Sequence, residues 1–108
     1  MSLRLRHALA VAALLMTTTD SFAQDAQRLR TRSLAATCAQ CHGTDGRAPD
    51  GAAVPGLAGM PVPYLVEQMS AFKSGTRAGS VMPQLAKGFS DAQIGELAAW
   101  FAQVAKTR

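Results

Sequence analysis

Cys38-Ala39-Gln40-Cys41-His42 places two thiols and an imidazole within five residues, in a C-x-x-C-H pattern. Such a cluster suits four chemistries: covalent attachment of a c-type haem, a zinc site, a thiol–disulfide redox pair or a structural disulfide. For haem, one helical turn between the thiols lets each reach a vinyl group, and the adjacent imidazole is aimed at the iron. Zinc needs about four N, S or O ligands, and beyond residue 23 the chain has no other Cys or His to complete a Cys/His site. A thioredoxin-type pair expects a βαβ context, which the sequence lacks. A disulfide across two intervening residues closes too small a loop to stabilise much, and it leaves His42 without a task. Haem attachment uses all three side chains.

An iron held by His42 has a second axial position, for which Met60, Met69, Met82 and lysines are available. Met69 shares an apolar helical face with Leu65 and Phe72, where packing alone accounts for it. Met60 follows His42 by 18 residues, a short path to the opposite face of a macrocycle. Met82 follows by 40 residues, after a whole helix, and Pro83 stiffens the backbone just behind the thioether. The spacing favours Met82.

The elements that must position these residues are helices. From Asp25 to about Cys38 there is no Gly or Pro, which predicts a first helix with the haem motif near its end; the Arg28, Arg30 and Arg32 stripe reads as a solvated face. Between residues 43 and 62 eight of twenty residues are Gly or Pro, so the chain must loop. Pro63 opens a second helix over 63–74, with Leu65, Met69 and Phe72 on one face and Gly75 as its stop. Residues 76–89 read as a second irregular loop. Ser90 and Gln93 form a capping box for a third helix, lined by Ile94, Leu97, Ala98, Phe101 and Ala105 and expected to run to about Lys106. No segment alternates with period two, so the expectation is an all-α fold.

Residues 1–23 read as a secretory signal peptide: Arg4, Arg6 and His7 form a basic start, Ala8 to Met16 is apolar, and Ser21-Phe22-Ala23 is a small-x-small cleavage signal. Nine apolar residues span about half of what a membrane helix needs. Cleavage after Ala23 would leave one domain, residues 24–108, in the periplasm without a membrane span, and losing Arg4, Arg6 and Asp20 lowers the net charge from +4 to +3. The basic balance does not point to nucleic acid, because no Lys/Arg run with interleaved aromatics occurs. Aromatics are only 6% of the chain, little bulk for a core.

With these residues in place, residues 24–108 resemble a short bacterial class I cytochrome c: Cys38, Cys41 and His42 match the haem motif and Met82 the distal ligand. The resemblance implies a small cytochrome c fold of three to four short helices and long loops around one covalent haem c with its iron. It also implies that the Pro55 carbonyl, in Val54-Pro55-Gly56-Leu57, accepts the Nδ1 proton of His42, that Leu57 packs on the proximal haem face, and that the C-terminal helix crosses the first. Pro63-Tyr64-Leu65, Ala71-Phe72-Lys73-Ser74-Gly75, Ala86-Lys87-Gly88-Phe89-Ser90 and Leu97-Ala98-Ala99-Trp100-Phe101 are similar to one half of the tandem dihaem cytochromes. They are also similar to the haem subunit of flavocytochrome c sulfide dehydrogenase. Many members carry a glycine seven or eight residues before the first haem cysteine; Thr31 and Arg30 stand there, a departure that resembles the sulfide dehydrogenase subunit more than the free cytochromes. Tyr64, Arg77 and Trp100 are candidates to face the haem propionates.

A His/Met-ligated iron has no open site, so the implied function is one-electron transfer rather than catalysis. The expected role is a periplasmic haem subunit that takes electrons from a sulfide-oxidising flavoprotein; the alternative is a free monohaem shuttle to an oxidase or another redox partner. A Met82 that leaves the iron would make a gas-binding or peroxidase-like protein instead.

Overall fold

Between Leu3 and His42 there is no glycine or proline, so the backbone meets no helix breaker until Gly43. The computed structural model describes residues 3–106, the side chains of 13–18 excepted, and one helix, α1, runs from Leu3 to Ala36. α1 therefore begins upstream of the expected Asp25, since no Gly or Pro interrupts the chain on either side of it. The chain divides after Arg30 into two units. The first is helix with its described side chains exposed; the second, from Thr31 onward, carries the core.

α1 also ends earlier than expected. The Thr37 and Cys38 amides donate to Leu34 and Ala35 at 3.2 and 3.1 Å, bonds three residues back that tighten the last turn. The Thr37 hydroxyl donates to the Leu34 carbonyl at 2.7 Å, offering the backbone a competing partner. A separate turn, α2, spans Ala39–His42, with Cys38 at its N-cap. The haem motif thus straddles a break.

Beyond a 3-10 turn at Thr44–Gly46 and the Gly/Pro-rich loop, α3 spans Val62–Ser74, with Pro63 in its first turn and Gly75 in the left-handed region at its end. The expected loop at 76–89 contains a short helix, α4, over Met82–Lys87. Its first turn tolerates Pro83, and the Val81 carbonyl accepts from Gln84 and Leu85 at 3.0 and 3.2 Å. Ala86 anchors it at 0% exposure. α5 spans Asp91–Gln103 behind the expected capping box, in which the Ser90 hydroxyl accepts from the Gln93 amide and the Gln93 side chain accepts from the Ser90 amide.

α5 stops three residues short of Lys106 because the Phe101 carbonyl, which a longer helix would bond to the Ala105 amide, is taken by the loop. Phe101 O accepts from the Gly59 amide at 2.8 Å and Ala105 O from Arg47 Nε at 2.7 Å, while Val104 turns to extended backbone. α3 packs against α4 and α5. Ala35, Leu65, Leu97, Ala98 and Phe101 form the buried cluster, with Leu34, Cys38, Leu57, Met60, Val66, Phe89 and Trp100 packed on it. Four short helices, α2 to α5, therefore follow α1, and no strand occurs among the described residues.

Two stability predictions follow from this packing. Gly46 has φ +73°, and an added Cβ would lie 2.9 Å from Phe101 Cδ1 and 3.0 Å from Leu57 Cβ, whereas Gly51, at φ +75°, has open space around it. Gly46→Ala should cost about 3 kcal/mol by backbone strain plus overpacking, and Gly51→Ala about 1 kcal/mol by strain alone, read from denaturant unfolding. Asp91 is held below the usual carboxylate range by the hydrogen bond and charge of Lys73, at 2.8 Å. A depressed carboxylate stabilises the fold above its unfolded pKa and stops doing so as pH falls through its folded value. Asp91→Asn should therefore lose a small margin to the wild type at neutral pH, and the two unfolding curves should converge in acid below the ordinary carboxylate range.

Candidate functional site

The α1–α2 break sets the positions of the motif residues. With Cys38 at the N-cap and Cys41 and His42 in the single turn that follows, both thiols are carried by one rigid turn, anchored where His42 N donates to Cys38 O at 3.0 Å. Both cysteines are free, Cys38 half-buried and Cys41 exposed. Burial pushes the Cys38 thiol up, with a hydrogen bond from Thr37 opposing it.

His42 is buried, 8% exposed, and its Nδ1 lies 2.6 Å from the Pro55 carbonyl oxygen. A carbonyl can only accept, so Nδ1 carries the proton and the Nε2 lone pair is left available to a metal. The loop that brings Pro55 there is closed on one atom. Gly46 O accepts from the Leu57 amide at 2.8 Å and from Ala58 at 3.1 Å, which folds residues 47–56 back toward His42. Gly43 makes the preceding turn possible: at φ +84° its would-be Cβ lies 2.2 Å from Arg47 O, a place only glycine fits.

The structure therefore joins His42 to Pro55 and carries Cys38 and Cys41 on the turn that bears His42, with Leu57 and Cys38 each packed against the buried cluster. Met82 sits on a different element, half-buried at the first position of α4. Met60 packs against the buried cluster, and Met69 is half-buried on α3. Tyr64 is 46% exposed on α3, and Trp100 packs on the core. Arg77 is engaged locally, stacked over the Phe72 ring at 4.5 Å from its centroid and hydrogen-bonded to Gln68. At the place of the missing glycine, the Thr31 hydroxyl reaches Glu96 of α5 at 3.5 Å.

The donor set fits a covalently held haem: two free thiols on one turn and an imidazole whose Nδ1 is committed to Pro55 O, which leaves Nε2 as the ring nitrogen for a metal. The surface fits as well. Val62, Tyr64, Val81 and Leu85, on or beside the packed pair α3 and α4, are 39%, 46%, 57% and 50% exposed, apolar area that a porphyrin could cover. Three features are missing from the sequence reading: α4, the double acceptor at Gly46 and the Arg47 bond to Ala105. Met82, Leu85, Ala86 and Phe89, at i, i+3, i+4 and i+7, are the helical signal for the first. The other two are tertiary and leave no local pattern.

Comparison with known proteins gives the same answer. A family model described as "Cytochrome C oxidase, cbb3-type, subunit III" matches residues 25–101. A thiosulfate dehydrogenase electron acceptor of Thiomonas intermedia is 40% identical over 70 residues, covering 65% of this chain and 32% of its own length. The cytochrome subunit of sulfide dehydrogenase of Chlorobaculum tepidum is 34% identical over 73 residues, covering 68% of this chain and 64% of its own. Among solved structures, the cytochrome c4 of Acidithiobacillus ferrooxidans superposes with a TM-score of 0.59 at 36% identity, over 62% of this chain and 38% of that one. The chain spans about a third of the length of the first of these relatives. With a family match from residue 25 to residue 101 and the C-x-x-C-H turn that holds haem c, the chain belongs to the cytochrome c family, whose relatives named above include an electron acceptor and a cytochrome subunit of dehydrogenases.

Proposed function

We propose that this cytochrome c binds its iron between His42 and Met82 and accepts electrons from a dehydrogenase of inorganic sulfur compounds, with a sulfide-oxidising flavoprotein as the donor. The observation that carries the reading is the buried His42, whose Nδ1 proton is committed to Pro55 O. A covalently attached haem iron supplies one-electron exchange between its ferric and ferrous states. The chain does the rest. Cys38 and Cys41 tether the group through thioethers, and His42 offers Nε2. Pro55 O fixes the tautomer and raises the basicity of the ring, while Leu57 and Tyr64 contribute apolar and partly polar wall.

Met82 is supported as the distal ligand by the employment of its rivals. Met60 already fills core volume, and Met69 lies along α3 with Leu65, whereas Met82 opens a short helix whose neighbours Val81 and Leu85 face solvent. A thiosulfate dehydrogenase is the second donor, favoured by the 40% match to an electron acceptor of that enzyme. The reading includes export: the basic start, apolar stretch and Ser21-Phe22-Ala23 signal direct cleavage after Ala23 and release into the periplasm. No described helix is long and apolar enough to cross a membrane.

Met82→Ala should abolish the weak methionine-to-iron charge-transfer band of the ferric protein and allow the ferrous protein to bind carbon monoxide at neutral pH. Persistence of the band would move the ligand to Met60 or Met69, and carbon monoxide binding by the wild type would replace the carrier reading with a gas-binding one. The donor is tested by anaerobic mixing of the ferric protein with sulfide and a sulfide-oxidising flavoprotein, and in parallel with thiosulfate and its dehydrogenase. Catalysed reduction in the first arm, with one electron taken up per haem and a flavin chromophore co-eluting from native extracts, is the expected result. Reduction in the thiosulfate arm alone reassigns the donor, and repeated isolation as a lone monomer makes the protein a free shuttle.

A further inference from the structure

Arg47 is a cation with a half-buried side chain, 23% exposed, at the end of the 3-10 turn. Its Nε donates to Ala105 O at 2.7 Å and its Nη1 to Asp45 Oδ2 at 3.1 Å. Ala105 lies past the last turn of α5, where a backbone carbonyl has no helical donor. One guanidinium therefore ties the loop that begins at Gly43 to a segment 58 residues away. A planar fork is what such a site needs, because a lysine ammonium offers donors from a single rotatable nitrogen and does not hold two separated acceptors in a fixed relation.

The far end of the same loop is tied to the same tail. The Gly59 amide donates to Phe101 O at 2.8 Å, and a Cβ at Gly59 would meet Lys106 Cγ at 2.9 Å, so the lysine stem lies directly over it. Residues 47–59 are thus stapled at both ends to α5 and the extended residues after it. Between the staples lies Pro55, whose carbonyl accepts the hydrogen bond of His42 Nδ1 at 2.6 Å. The Gly59 staple is backbone and its register is set by the fold. The Arg47 staple is a side chain and can be removed singly.

We propose that Arg47 is a positioning residue for His42: by clamping the loop to the chain beyond α5 it fixes the Pro55 carbonyl, and through it the orientation and basicity of the imidazole. The proposal rests on the reading of His42 as the iron ligand. A slack Pro55 carbonyl leaves the Nδ1 proton more exposed to exchange and the ring less electron-donating. A less donating ring stabilises ferric iron less, so the midpoint potential rises.

The test uses the full-length holoprotein and the variants Arg47→Met, which keeps an apolar stem without donors, and Arg47→Lys, which keeps the charge and N–H donors but loses the planar fork. In the diamagnetic ferrous state, the His42 Nδ1 proton should exchange about tenfold faster in R47M than in the wild type, with the midpoint potential raised. R47K should fall between, at roughly threefold, so the question is answered even where R47M fails to accumulate. Wild-type exchange and potential in R47K or R47M, with only a lowered melting temperature, would make Arg47 merely structural and overturn the proposal. Wild-type spectra in which the His42 ring protons lack the large shifts of an axial ligand would instead overturn the ligand reading beneath it.

Discussion

A buried imidazole must place its N–H on an acceptor, and in this protein that requirement organises the whole segment from residue 37 to residue 61. The hydrogen bond from His42 Nδ1 to Pro55 O spans 13 residues, and every oddity of the intervening backbone serves to close it. α1 breaks at Thr37 so that a fresh turn can present the thiols and the ring. Gly43 and Asp45 take positive φ to reverse the chain at once. Gly46 then collects two amides on one carbonyl and returns the loop. Proline suits the acceptor position because its fixed φ restricts the loop and it adds no N–H that would need a partner of its own.

The same segment explains why α5 is as short as it is. A helix of that composition could continue through Ala105, yet the Phe101 carbonyl that would accept the Ala105 amide bonds to Gly59 instead, and the Ala105 carbonyl beyond the helix is bound by Arg47. Phe101 shows both roles at once. Its ring presses on Gly46 from the core side while its carbonyl holds Gly59. The back wall of the site and the end of the last helix are one piece of structure, so damage at either is felt at His42.

Much of this was legible in the sequence, and the limit was physical. Cys38, Cys41 and His42 carry their chemistry in adjacent letters, and the capping box of Ser90 and Gln93 and the Gly75 stop are local signals that the backbone obeys. The end of α5 escapes the sequence because a distant partner competes with local propensity: Phe101 O, which a longer helix would bond to the Ala105 amide, accepts from Gly59 in the loop, which periodicity cannot see. α4 was hidden for a different reason. Six residues give less than two turns, too few for a periodic pattern to stand out from a Gly/Pro-rich neighbourhood.

The two sides of the proposed iron site are built on different terms. On the proximal side, two tethers, a buried ring and its acceptor all come from one short stretch of chain, closed by backbone bonds and braced by α5. On the distal side, Met82 depends on a six-residue helix whose place is set by packing on α3 and by Ala86. A thioether is a weak ligand and cannot impose geometry on its carrier, so the carrier must be held by something else. Here that is tertiary packing alone. The proximal half therefore answers to the loop and the chain beyond α5 that hold Pro55, whereas the distal half answers to the packing of α4 on α3.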